Sequence, residues 1–190
     1  MKLIGITSIL VVIFFTMLLS KDKYKEPSFT LLESKGNIEI REYSEYIVAK
    51  TSIIKNNIES DNNMFRVLAS YIFGGNEKNA NIPMTAPVTT FEDNESYSML
   101  FYMLESDKIK DLPNPSGQNI TLDKFNLGKC AVIKFSWYVN DEKVNKYKNK
   151  LKKFINDNGY EIDYPFMINR YDSPWTPPFM RRNEVLVRIK

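Results

Sequence analysis

The sequence predicts one α+β domain, a curved or barrel-like antiparallel sheet carrying two helices, built from two copies of a β-α-β-β unit. Three observations lead there. Each copy opens on a long alternating stretch, Ile38–Thr51 in the first and Ile120–Val139 in the second. An amphipathic, capped helical stretch follows each. Two short apolar stretches then close each copy.

In the first copy, Ile38-Glu-Ile-Arg-Glu-Tyr43 alternates with period two and leads through Ser44-Glu45 to Tyr46-Ile-Val-Ala-Lys-Thr51. That pattern predicts two strand pieces with a bend. A helix is expected over Asn62–Phe73, with Asp61 as N-cap and Gly74-Gly75 as its stop. Met64, Leu68, Tyr71 and Ile72 form its apolar face. Strands are expected at Ile82–Thr90, where Pro83 and Pro87 imply irregular ends, and at Tyr97–Leu104.

The second copy repeats the order. Ile120–Phe125 leads through Asn126-Leu-Gly128 to Lys129–Val139. On that last strand Cys130 shares a face with Val132 and Lys134, opposite Ala131, Ile133, Phe135 and Trp137, which reads as a structural or surface thiol. A helix over Glu142–Asn158 follows Asn140-Asp141 and ends at Gly159, with Val144, Tyr147, Leu151, Phe154 and Ile155 as its stripe. Its lysines between Lys143 and Lys153 read as a solvated face. Strands are expected at Phe166–Tyr171 and Glu184–Ile189. Asp111–Gly117 is a loop between the copies.

The chain has 190 residues, enough for one domain plus a tail. Its net charge of +3 comes without a basic stripe, so no nucleic-acid partner is expected. A single cysteine excludes an intrachain disulfide. The absence of histidine excludes a Ser-His-Asp triad, His-ligated metals and His acid–base catalysis. Carboxylate pairs such as Glu39/Glu42 and Asp141/Glu142 stand in no sequence context that suggests a shifted pKa. No phosphate loop, nucleophile elbow or metal motif is present, and no enzyme activity is expected.

Leu3–Leu19 is an uncharged, mostly apolar run of about 17 residues, at the short edge of what spans a bilayer. Residues 1–20 are therefore a signal peptide or an uncleaved membrane anchor. The poor cleavage site at Leu18 and Ser20 favours the anchor. The basic amino end favours an extracytoplasmic domain, membrane-anchored or exported. Residues 21–36 read as a polar linker with Pro27, and residues 37–190 as the domain, expected to be a monomer.

Five pieces of the chain stand out together: Ile38–Tyr43 with Tyr46–Ala49, Tyr71-Ile-Phe-Gly-Gly-Asn76, Pro83-Met-Thr-Ala-Pro-Val88, Tyr171-Asp-Ser-Pro174 and Arg181-Arg-Asn-Glu-Val185. In their order and spacing they resemble the SOUL/heme-binding protein family. The resemblance implies a distorted β-barrel with two helices and pseudo-two-fold symmetry, an architecture also similar to GyrI-like effector-binding domains. It further implies binding of heme or another tetrapyrrole. Ligation by histidine cannot carry over. What can carry over is an apolar cleft against the first helix, formed by Met64, Phe65, Leu68, Ala69 and Ile72, with Arg66 as the cation for the carboxylates. Alternatives are a binding module for another flat or amphipathic small molecule, and an interaction domain with no cofactor. Pro83–Val88 is read as a fold signature or as a site lining. Arg181-Arg-Asn-Glu184 is read as a polar corner or as an anion site.

Overall fold

The computed structural model describes residues 24–54, 61–93, 95–117 and 119–190. The apolar run at Leu3–Leu19 lies outside them. Among the described residues the elements are β1 (Phe29–Lys35), β2 (Ile38–Ile54), α1 (Asp61–Ile72), β3 (Val88–Glu92), β4 (Ser96–Tyr102), β5 (Thr121–Phe135), α2 (Asp141–Asp157), β6 (Met167–Arg170) and β7 (Asn183–Arg188).

All pairings between these strands are antiparallel. The order β2-β4-β3-β6-β7-β5 closes on itself through β5–β2, whose register runs from Ile38↔Ile133 to Lys50↔Thr121. Closure removes the edges that an open sheet would expose. The first copy supplies β2, β4 and β3, and the second supplies β5, β7 and β6, in matching order. The duplication seen in the sequence is therefore the symmetry of the barrel.

Alternation along the strands divides the apolar residues into three sets. Ile47, Ala49 and Phe101 face outward onto Met64, Leu68, Tyr71 and Ile72 of α1. Ile40, Ala131, Ile133, Val185 and Val187 face outward onto Leu151 and Ile155 of α2. The residues between them point the other way, so Tyr43, Val48, Leu100, Tyr102, Cys130, Val132 and Leu186 fill the lumen. The strands of the closed barrel are thus buried on both faces over much of their length. Each fully buried Leu or Ile contributes about 1.5–3 kcal/mol.

Several sequence expectations need correction. The two pieces expected in each long strand are continuous, as β2 and β5. Gly128, at φ +55, and Tyr43 opposite it sit within the ladder. The part of the expected linker from Phe29 to Lys35 is strand β1, outside the closed barrel and paired with β2. Its residues are all exposed, so the period-two burial signal is missing from its sequence. The strand expected at Ile82–Thr90 begins only at Val88. Pro83 and Pro87 lack the N–H that a ladder needs, and Ala86–Pro87 is a cis peptide. β5 ends at Phe135, and Trp137 has left the strand with φ +80.

Candidate ligand-binding site

α1 is the helix on which the sequence placed the ligand. Its carboxyl end is fixed by the Gly74-Gly75-Asn76 turn. Gly74 adopts φ +105, which favours glycine. A side chain at Gly75 would meet the Ser70 carbonyl oxygen at 2.7 Å. The buried Asn76 amide donates to the carbonyls of Tyr71 (3.0 Å) and Ala80 (2.7 Å). Its Oδ1 accepts from the backbone N–H of Lys78 and Ala80. One side chain thus satisfies the orphan carbonyl at the helix end and closes the following turn.

The six residues assigned to the cleft fall into two groups. Met64, Leu68 and Ile72 are at most 2% exposed and pack against β2 and β4, so they are core and offer no ligand surface. Phe65, Arg66 and Ala69 lie on the outward side. Phe65 is 43% exposed, with its ring edge-on to Phe101 at 5.4 Å. With Ala69 and the exposed Phe73 it forms a stripe at i, i+4 and i+8. Arg66 follows Phe65 and lines an open cleft of about 370 Å³ with Asn63, Val67, Ser70, Asn119 and Ile120. The outward side of α1 therefore carries an apolar flank, a cation and a polar cleft, in that order around the helix.

A second cleft of about 660 Å³ lies between the amino end of α2 and the outer face of β3 and β6. It is lined by Tyr97, Val144 and Ile168 and by charged groups of both signs, Glu92, Asp141, Lys148 and Arg170. Asn140 caps the helix here, accepting from the Lys143 N–H at 2.9 Å.

The barrel lumen is not an empty site at its β7 end. Arg41 from β2 and Glu184 from β7 are each about 2% exposed at the side chain and form a two-pronged ion pair of 2.9 and 3.1 Å. Arg41 Nη1 also donates to Tyr43 Oη (2.7 Å) and Nε to Glu39 Oε2 (2.8 Å). The Tyr171 hydroxyl donates to Glu184 at 2.7 Å. Burial works against the Arg41 charge, but the Glu184 contact outweighs it and holds the guanidinium protonated. Burial pushes the phenols of Tyr43 and Tyr171 well up, so both stay protonated. Sequence reading did not single out this network. Its signal is an alternation that puts Glu39, Arg41 and Tyr43 on one face of β2, against Ile38 and Ile40 on the other.

The Arg181-Arg-Asn-Glu184 stretch is a polar corner. Arg181 donates to the carbonyls of Thr176 and Pro174, and the Arg182 N–H donates to Asp172. Asn183 donates to the Trp137 carbonyl at 2.9 Å. Cys130 is buried in the lumen against the Leu127 carbonyl, and burial pushes its thiol up to about 12. Among the described residues no cluster of acidic, Cys or His side chains could hold a metal ion.

The closed duplicated barrel with a helix over each half defines the class of this domain, an α+β antiparallel barrel. The C-terminal domain of EcmrR shares this fold, with TM-score 0.60 and 14% identity over 80% of this chain and 96% of that one. An uncharacterized conserved protein from Listeria innocua matches with TM-score 0.60 and 12% identity, over 82% and 93% of the two chains. A hydrolase from Listeria innocua matches with TM-score 0.55 and 9% identity, over 83% and 94%. At such identities the likeness is one of fold alone. No curated protein matches the sequence. The model of the SOUL heme-binding protein family matches residues 24–188, and the chain belongs to that family.

Proposed function

We propose that the domain binds heme or a related tetrapyrrole on the outward side of α1, without a bond from the protein to the iron. The observation that carries this reading is the juxtaposition of the apolar stripe Phe65, Ala69 and Phe73 with Arg66. A porphyrin is a flat apolar body with two carboxylates. Exposed aromatic rings supply contact area for its face, and a guanidinium pairs with a carboxylate. Family membership supports the ligand class.

The residues present fit the porphyrin better than they fit its iron. The sequence has no histidine. Met64, Tyr71 and Cys130, whose side-chain types could ligate iron, are buried in packed clusters away from the outward face of α1. Binding then depends on the macrocycle and its carboxylates. Hemin and metal-free protoporphyrin IX should bind one-to-one with affinities within about threefold of each other. Absorbance titration with each ligand tests this. Non-saturating uptake of both would overturn the reading. A preference for hemin of tenfold or more, roughly 1.4 kcal/mol, would mean that the iron is ligated and the site lies elsewhere.

A second reading is favoured by the larger cleft beside α2. Its volume falls within the range usual for small-molecule sites, about 300–1,000 Å³. Its balanced charges and the Tyr97 ring suit a flat or amphipathic molecule carrying both a donor and an acceptor end. Saturation with a non-porphyrin ligand, insensitive to Arg66→Glu, would favour it.

A further inference from the structure

We propose that one end of the barrel, bearing Trp137, Tyr138, Trp175 and Phe179, rests on the surface of a lipid bilayer with these rings in the headgroup layer. The proposal rests on the expectation that Leu3–Leu19 stays attached and enters that bilayer.

The rings form an unusual surface. Trp175 is 93% exposed, Phe179 63%, Tyr138 56% and Trp137 53%, and Met180 beside them is also exposed. None belongs to the apolar clusters of the barrel. They come from two separate connections, β5–α2 and β6–β7, which are joined to each other. The Trp137 N–H donates to the Pro178 carbonyl at 2.9 Å, and the Asn183 amide holds the Trp137 carbonyl. The Arg181 guanidinium lies 4.8 Å over the Tyr138 ring and anchors its own loop through the Thr176 carbonyl. Lys143 lies 5.7 Å from the centre of the Trp137 ring. Trp and Tyr with Arg and Lys alongside is the composition of membrane-interface anchors.

The chain path says which way this end must face. Lys25 pairs with Thr85 ahead of β3, and its carbonyl accepts the Ala86 N–H at 2.9 Å. Glu26 pairs with Arg182 at 2.6 Å, the residue after Arg181 and directly before β7. Tyr24–Glu26 is therefore fixed at the barrel end where β3 and β7 begin and where β5 and β6 finish. The aromatic connections leave from that same end. Only Ser20, Lys21, Asp22 and Lys23 separate Leu19 from Tyr24. Fully extended, those steps reach at most about 18 Å. A domain of this size is about 40 Å across. A tether that short cannot bring the far end of the barrel to the bilayer, so an anchored chain sets this end against it. The aromatic side chains then meet the interfacial layer, with Arg181 and Lys143 at the level of the lipid phosphates.

The chain has two tryptophans, Trp137 and Trp175, and both lie in this surface. Intrinsic emission therefore reports on it directly. The full chain is reconstituted into phosphatidylcholine–phosphatidylglycerol vesicles, with and without brominated acyl chains. The expected result is a blue-shifted emission, about twofold quenching by the brominated lipid and a loss of iodide quenching. Trp175→Phe, at a position almost fully exposed, should retain the fold and remove that ring's share of the lipid-quenched signal, leaving the share of Trp137. Vesicle-bound chain whose tryptophans stay open to iodide and unaffected by bromine would overturn the proposal and leave a protein partner as the occupant of this surface. Failure of the full chain to associate with vesicles would overturn it as well. None of the four rings lines the cleft beside Arg66, so hemin titration of Trp175→Phe tests the reading of α1 separately.

Discussion

Arg41 and Glu184 are separated by 143 positions in sequence and joined by two hydrogen bonds of 2.9 and 3.1 Å inside the barrel. The pair links β2 of the first copy to β7 of the second. Phe29 of β1 covers it, with its ring centre 4.2 Å from the guanidinium carbon. Attraction between buried charges is offset by the loss of their hydration, so the net contribution of such a pair is small. Breaking it is different, because one charge is left buried without its partner.

Arg41→Met should therefore destabilise the domain by about 3–5 kcal/mol, and Glu184→Leu should do the same. The double substitution should recover most of that loss. Urea unfolding of the two single variants and the double variant measures the coupling. Additive losses in the double variant would show that the two residues act independently.

Glu39 sets an acid limit on stability. Burial alone would raise its carboxyl, but hydrogen bonds from Lys134 and Arg41, together with their charges, more than offset this and hold it below the ordinary value of 4.5. A carboxyl with a folded pKa below its unfolded one contributes stability above the unfolded value. That contribution is lost as the pH falls through the folded value. Stability should drop below about pH 4.5, and Glu39→Gln should flatten that limb while lowering stability at neutral pH. Thermal unfolding between neutral and acid pH checks this. Identical acid limbs for the two proteins would remove Glu39 as their source.

The thiol of Cys130 should be silent in the folded protein. Burial pushes it up to about 12, and the side chain lies in the lumen. Alkylation at mildly alkaline pH should then follow unfolding, with a labelling rate that rises steeply in denaturant. A folded pKa above the unfolded one means that this residue favours the fold at neutral pH, with the benefit lost as the pH rises from about 9 toward 12. Fast labelling in buffer would mean that the lumen opens locally.

The barrel was legible because its two copies repeat one order of alternation, capped helix and paired short strands. The capping residues Asn140 and Gly159 of the second helix fall where the sequence put them. β1 was not legible, since a strand exposed on every residue has no burial period to read. The core face of α1 was legible, since Met64, Leu68, Tyr71 and Ile72 of its expected apolar face are the residues packed on the sheet. The division between core and cleft was not, because the cleft assigned from the resemblance mixed Met64, Leu68 and Ile72 of that face with the outward Phe65, Arg66 and Ala69. Arg41–Glu184 was out of reach for another reason, because a charge on an alternating strand normally marks the solvent side.

That division of α1 is open to direct test by contrasting substitutions on its two sides. Leu68→Ala removes buried side chain from the cluster shared with Met64 and Phe101, and should cost about 2–5 kcal/mol of stability. Once folded, this variant should titrate with hemin as the parent does. Phe65→Ala and Arg66→Glu sit on the outward side and should each change stability by about 1 kcal/mol or less. Both should weaken hemin and protoporphyrin IX alike, by about tenfold for Arg66→Glu, where an attracting charge becomes a repelling one. Absorbance titrations paired with thermal unfolding separate the two classes. If Leu68→Ala weakened binding at a concentration where it is fully folded, while Arg66→Glu left it unchanged, the tetrapyrrole would have to enter between α1 and the sheet. The helix would then have to lift from β4 to admit it.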